Sequence, residues 1–190
     1  CENISWRNNI KDITMDKERK KLYLCLAHMS EDSMEQKYVK EAFDTNWVVP
    51  LGPNVNGFED DLKAFVSKNS DGTDLQKEVV ALSAGTAAVH LALLACGVGP
   101  GDEVCVQSFT FCASSHPITY LGATPVFVDS EPETWNMDPE LLEKAIIDRK
   151  EKTGRYPKAI VPVALYGMPY QIDRILAIAD KYGIPVVEDA

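Results

Sequence analysis

Three short stretches of this chain carry residue types that could do chemistry. In "SAGTAAVH" (83–90), small residues around Gly85 and Thr86 turn an apolar run into a helical one. The first N–H groups of a helix have no internal partner and sit at the positive end of its dipole, so the spot suits an anion such as phosphate. Gly85 would let the backbone approach and Thr86 would add a hydroxyl. A plain strand-to-helix turn would ask for the same glycine. In "SFTFCASS" (108–115), Phe109 and Phe111 stand where polar turn residues usually follow a strand. One of them could face a flat ligand, or both could cap a core. In "PVVEDA" (185–190), an apolar run delivers Glu188 and Asp189. A carboxylate fixed there could hold a cationic ring nitrogen through a charge-assisted hydrogen bond, or the pair could simply be solvated.

Short apolar runs place these residues. "EVVALS" (78–83), "EVCVQS" (103–108), "TPVFVD" (124–129), "KAIVPVAL" (158–165) and "PVVED" (185–189) read as strands, apolar over nearly their whole length. Such strands belong to a parallel sheet covered on both faces. Helices are expected between them at 86–98, 112–122, 138–152 and 171–183, with Asp138 as N-cap before Pro139. The fold class is therefore α/β with crossover connections. Earlier, Tyr38, Val39, Ala42 and Phe43 fit one face of a helix starting near Glu35, "NWVVPLGPNVNG" (46–57) reads as a long loop, and "FEDDLKAFVSKN" reads as a short helix with acids in its first turn. Residues 1–21 form a polar arm, 22–77 a helical segment, and 78–190 the α/β part. In such sheets ligands bind at the carboxyl ends of the strands. A phosphate cradle, an aromatic plate and a carboxylate on three strand ends match the phosphate, ring face and ring nitrogen of pyridoxal 5'-phosphate.

Composition narrows the classes. The chain has 190 residues, is 45% apolar and 25% charged, and carries a net charge of −10. Its lysines are interleaved with acids, which argues against a nucleic-acid surface. Five cysteines without Cys-x-x-Cys spacing suggest reduced thiols in a cytoplasmic setting. No run of 18 apolar residues is present and no secretory leader is legible, so neither membrane insertion nor export is expected. Without an initiator methionine the sequence reads as a piece of a longer chain. The histidines are scattered and no metal site is expected: His90 reads as a core residue, while His28 could approach a substrate.

The run from "ALSAGTAAVHLALLACGVGPGDEV" through "QSFTFCASSHPITYLGATPVFVD" to "ALYGMPYQIDRILAIADKYGIPVVEDA" resembles the amino-terminal half of the DegT/StrS-type sugar-nucleotide aminotransferases, fold type I pyridoxal phosphate enzymes. The resemblance spans about Leu22 to Ala190. It implies an incomplete large domain in which Gly85 and Thr86 bind the cofactor phosphate, Phe111 stacks on the ring and Asp189 pairs with its nitrogen. It also implies a homodimer that takes an amino group from glutamate and gives it to the keto sugar of a nucleotide sugar for bacterial glycans. The family's Schiff-base lysine is expected beyond Ala190, so the chain holds no catalytic residue of its own and is expected to be inactive alone. Two other readings stay open. One is a non-catalytic relative serving as a binding or dimerising module. The other is a Rossmann-type nucleotide-sugar domain, although no G-x-G-x-x-G follows the first apolar run.

Overall fold

The structure, a computed structural model, describes residues 30–69 and 71–190. The chain divides into two compact units on either side of the Val79–Val80 bond. His28, the one substrate-facing candidate of the amino-terminal segment, lies outside the described residues.

The first unit contains α1 (Met34–Asp44) and α2 (Pro53–Val66). Ser30 and Glu35 brace the start of α1 reciprocally. The Ser30 hydroxyl accepts from the Met34 N–H at 3.0 Å and donates to Glu35 Oε2 at 2.6 Å, while the Ser30 N–H donates to Glu35 Oε1 at 2.9 Å. The same hydroxyl hydrogen bond holds the Glu35 carboxyl below its ordinary range. The loop expected over 46–57 is shorter than the sequence implies, because α2 begins at Pro53. Proline fits a first helical position, where its missing N–H has no partner to lose, and Gly57 is tolerated inside. Because the helix starts early, its first turn contains no acid, contrary to expectation. Gly52 precedes it with φ +132°, and a Cβ there would come within 3.0 Å of the Trp47 ring. Neither helix buries any of its own residues, and Trp47, Val48 and Val49 are exposed.

The second unit is the α/β part. Three strands, β1 (Glu103–Gln107), β2 (Thr124–Val128) and β3 (Ala159–Val161), form a parallel sheet in the order β2-β1-β3. Single parallel bridges, Ile160 to Val186 and Val163 to Asp189, lay the last residues beside β3. Side chains alternate across this sheet with the two-residue period of a strand. Val104, Val106, Ala159 and Val161 face one core with Val89, Leu93 and Ile118 from α3 (Gly85–Ala95) and α4 (His116–Tyr120). Cys105 and Ile160 face the other with Leu142, Ile146, Ile175 and Ala179 from α5 (Pro139–Thr153) and α6 (Ile172–Tyr182). Burial pushes the Cys105 thiol up to about 12. Asp138 caps α5 as expected, accepting from the N–H groups of Glu140 at 2.7 Å and Leu141 at 3.2 Å.

Four expectations are corrected. The run 78–83 belongs to no strand among the described residues, and Val80 and Leu82 are left exposed. The strand expected over 158–165 ends at Val161, because Pro162 has no N–H to continue a ladder. The run 185–189 makes two bridges rather than a strand. The helix expected over 112–122 is a 3-10 turn, Cys112–Ser114, followed by the short α4, with Pro117 in the first turn of α4.

Candidate active site

The carboxyl ends of β1 and β3, the start of α3 and the segment ending in Asp189 meet around a cavity of about 350 Å³. Gly85, Thr86, Phe111, Ser114, Tyr166 and Asp189 all line it. The four residues singled out from sequence for cofactor binding are thus brought to one cavity from three parts of the chain.

Ala84 is the N-cap of α3 and brings no side-chain cap; its carbonyl takes the Ala87 N–H at 3.0 Å, which leaves the N–H groups of Gly85 and Thr86 without a hydrogen-bond partner among the described residues. A Cβ built on Gly85 would meet nothing within 4 Å and its φ is ordinary. The packing of the described residues therefore does not require glycine there, and the open space leaves the backbone approachable. The two aromatics separate cleanly. Phe109 lies against Trp135, ring centres 5.7 Å apart, whereas Phe111 is 75% exposed and lines the cavity.

Asp189 is half-buried and anchored on both sides of its peptide unit: its N–H donates to the Pro162 carbonyl at 3.1 Å, and its carbonyl accepts from the Ala164 N–H at 2.9 Å. Oδ2 accepts the Ser114 hydroxyl at 2.5 Å. Oδ1 has no hydrogen-bond partner among the described residues. Glu188 lies beside Tyr170 and does not line the cavity; burial first, and then the Glu188 charge, push the Tyr170 hydroxyl up to about 12. No lysine lines the cavity among the described residues. Lys150, Lys152 and Lys181 are engaged with the Gly154 carbonyl, Asp148 and Glu143. His90 lies edge-on to Tyr120, ring centres 5.8 Å apart, and is half-buried.

Sequence reasoning missed a buried amide pair behind the site. Gln107, fully buried, accepts on Oε1 from the N–H groups of Met137 (2.8 Å) and Val163 (3.3 Å). Its Nε2 donates to the Phe109 carbonyl (2.9 Å) and to Asn136 Oδ1 (3.2 Å). Asn136, also fully buried, brackets the next loop: its Oδ1 accepts from the Leu165 N–H at 3.2 Å and its Nδ2 donates to the Met168 carbonyl at 2.7 Å. Between those anchors Tyr166 is held at φ 53°, the left-handed region, with its ring exposed. Ser114 and Thr110 were also missed, as nothing in the local pattern distinguishes a hydroxyl that reaches a carboxylate 75 residues away.

A three-layer α/β unit whose strand ends gather helix N–H groups, one exposed ring and one half-satisfied carboxylate has the architecture of a fold type I pyridoxal phosphate transferase. Residues 29–190 match the model of the DegT/DnrJ/EryC1/StrS aminotransferase family, and the chain belongs to that family. This family depends on pyridoxal phosphate. The chain is 48% identical over 171 residues to EpsN of Bacillus subtilis (strain 168), which bears the name of a pyridoxal phosphate-dependent aminotransferase; the match covers 90% of this chain and 41% of that protein. It is 43% identical over 159 residues to the GDP-perosamine synthase of Caulobacter vibrioides, covering 84% and 39%. Among solved structures, NtdA from Bacillus subtilis with its bound cofactor PMP superposes with a TM-score of 0.72 at 33% identity, covering 85% of this chain and 34% of that one. The chain thus spans about two fifths of the length of the curated relatives it matches.

Proposed function

We propose that this chain is the cofactor-holding part of a pyridoxal phosphate-dependent aminotransferase that moves an amino group from glutamate to the keto sugar of a nucleotide sugar in bacterial glycan biosynthesis, working as a cytoplasmic homodimer. The observation that carries this reading is the convergence of Gly85, Thr86, Phe111 and Asp189 on one cavity. The residues fit the cofactor by type: unpartnered N–H donors and a hydroxyl for a phosphate, an apolar face for a ring, and an unpartnered carboxylate oxygen for a ring nitrogen. When bound, pyridoxal phosphate supplies a carbon that receives and passes on the amino group and a ring that withdraws electrons from the reacting carbon.

The roles of the chain's own residues follow from their placement. The N–H groups of Gly85 and Thr86 at the start of α3 and the Thr86 hydroxyl would donate to phosphate oxygens, where the helix dipole favours negative charge. The Phe111 ring would cover one face of the cofactor and keep water from it. Asp189 Oδ1 would accept a hydrogen bond from the ring nitrogen, and its charge would keep the proton on that atom. The sugar-nucleotide relatives support a nucleotide-sugar acceptor, since GDP-perosamine synthase carries such a sugar in its name. No lysine lines the cavity among the described residues, which agrees with a Schiff-base lysine supplied from outside them. In the protein expressed from its complete gene, glutamate and a nucleotide keto sugar should yield 2-oxoglutarate and an amino sugar, followed by mass spectrometry. If a panel of nucleotide keto sugars gives no product while pyridoxal phosphate is stoichiometrically bound, the acceptor assignment fails; if the cofactor does not bind, the whole reading fails.

A further inference from the structure

The carboxylate on the cavity is not held by its backbone alone. Ser114 is 1% exposed, closes the turn Cys112–Ser114, and donates its hydroxyl to Asp189 Oδ2 at 2.5 Å. Thr110 Oγ1 lies 3.0 Å from Ser114 Oγ. A serine hydroxyl has one hydrogen to give and an ionised carboxylate can only accept. The Ser114 proton is therefore committed to Asp189, and Thr110 donates to Ser114. The order of donation runs from Thr110 through Ser114 to the carboxylate. The Asp189 backbone is already pinned by the Pro162 and Ala164 bonds, so rotation of its side chain is the freedom that remains, and the Ser114 bond removes it.

We propose that Ser114, backed by Thr110, is a positioning residue for Asp189. It fixes one carboxylate oxygen so that the other is presented to the cavity, where it can accept a hydrogen bond from a protonated ring nitrogen. The proposal rests on reading the cavity as the pyridoxal phosphate site. Ser114 belongs to the turn that follows Phe111, so the exposed ring and the support for the carboxylate are set by the same few residues. The charge-assisted bond makes the chain of hydroxyls more than filler, since a buried hydroxyl that donates to a carboxylate is stronger than one that meets a neutral acceptor.

The probe is 4'-deoxypyridoxine 5'-phosphate, which lacks the aldehyde and so binds without a covalent bond, labelled with nitrogen-15 in its ring. It is offered to the protein expressed from its complete gene. Calorimetry reads its affinity, and the nitrogen chemical shift reads protonation of the ring. Ser114→Ala should weaken binding about tenfold and lower the protonated fraction near pH 8, while Ser114→Thr, which keeps the hydroxyl, restores both. Thr110→Val should move both readouts the same way by about two- to threefold, and it decides the matter by itself if Ser114→Ala does not fold. A merely structural role would leave the ring protonation where it was. Unchanged affinity and nitrogen shift in Ser114→Ala, with both changed in Asp189→Asn, overturns the proposal and leaves the cofactor reading standing. If Asp189→Asn changes neither, the reading of the cavity falls and takes the proposal with it.

Discussion

Replacing Gln107 by leucine removes the buried amide that joins three segments around the cavity. Leucine has a similar volume and no polar atom, so packing is largely kept and the effect isolates hydrogen bonding. Two buried N–H groups then lose their acceptor: Met137, bonded at 2.8 Å, and Val163, bonded at 3.3 Å. Each orphaned buried group costs about 1–3 kcal/mol, and the longer bond belongs at the lower end. Assigning ~2 kcal/mol to Met137 and ~1 kcal/mol to Val163 gives a loss of about 3 kcal/mol. On the other side of the amide the loss is smaller, since Phe109 is exposed and its carbonyl can turn to water, and Asn136 Oδ1 keeps the Leu165 N–H. Urea unfolding of the protein expressed from its complete gene measures the total, and hydrogen exchange locates it, with protection falling first at Met137 and Val163. Gln107→Glu is the contrasting variant. Its carboxylate still accepts from both N–H groups but faces the Phe109 carbonyl and Asn136 Oδ1 without a hydrogen to offer, so exchange should rise instead in the loop 164–168. A loss below about 0.5 kcal/mol in the leucine variant, or exchange unchanged at both amides, would refute the reasoning.

Four further outcomes are expected. Asp189→Asn, in the protein expressed from its complete gene, should slow the half-reaction with glutamate at least about a hundredfold, ~2.7 kcal/mol, with pyridoxal phosphate still bound; Glu188→Gln should do far less, and equal effects in stopped flow would remove Asp189 from its role. Gly85→Ala should leave thermal stability unchanged or slightly raised, because a Cβ there meets nothing in the chain, yet weaken pyridoxal phosphate binding about tenfold; a destabilised variant with normal affinity would reverse the assignment. Cys112 is exposed while the Cys105 thiol is buried and stays protonated below about pH 12, so a maleimide near pH 8 should label Cys112 readily and leave Cys105 unmodified in peptide maps until the fold opens. The 190-residue chain alone, reduced with borohydride in the presence of pyridoxal phosphate, should show no stoichiometric single-site lysine adduct, and one mapped lysine would show the contrary.

The sheet was legible where residues state their own surroundings. "EVCVQ" and "TPVFV" read as strands because they are short, rich in valine and apolar over nearly their whole length, and both are strands of the sheet. Asp138 and Pro139 announce a helix start through local chemistry that no distant contact has to complete. The run at 78–83 has the same composition as a strand, yet a strand is defined by its neighbour, and no sequence window contains the neighbour. Pro53 carried two opposite meanings, a break or a beginning, and only the turn that follows it decides between them. The site divides along the same line. Gly85, Thr86, Phe111 and Asp189, which line one cavity, could be picked out because each stands where an apolar run of the sequence gives way. Gln107, Asn136, Ser114 and Thr110 act only through partners that folding brings near, and their residue types are ordinary in any loop.

Tyr166 gives the loop 164–168 a conflict between durability and use. A tyrosine at φ 53° costs the backbone on the order of 1 kcal/mol that glycine would not pay, and the two Asn136 hydrogen bonds on either side hold it there. Random mutagenesis screened for heat resistance alone would therefore favour Tyr166→Gly or Tyr166→Asn, both at ease in that conformation. Each would delete an aromatic wall of the cavity. A population selected for growth rather than hardness should keep the tyrosine, so the two selections would drive this one codon in opposite directions.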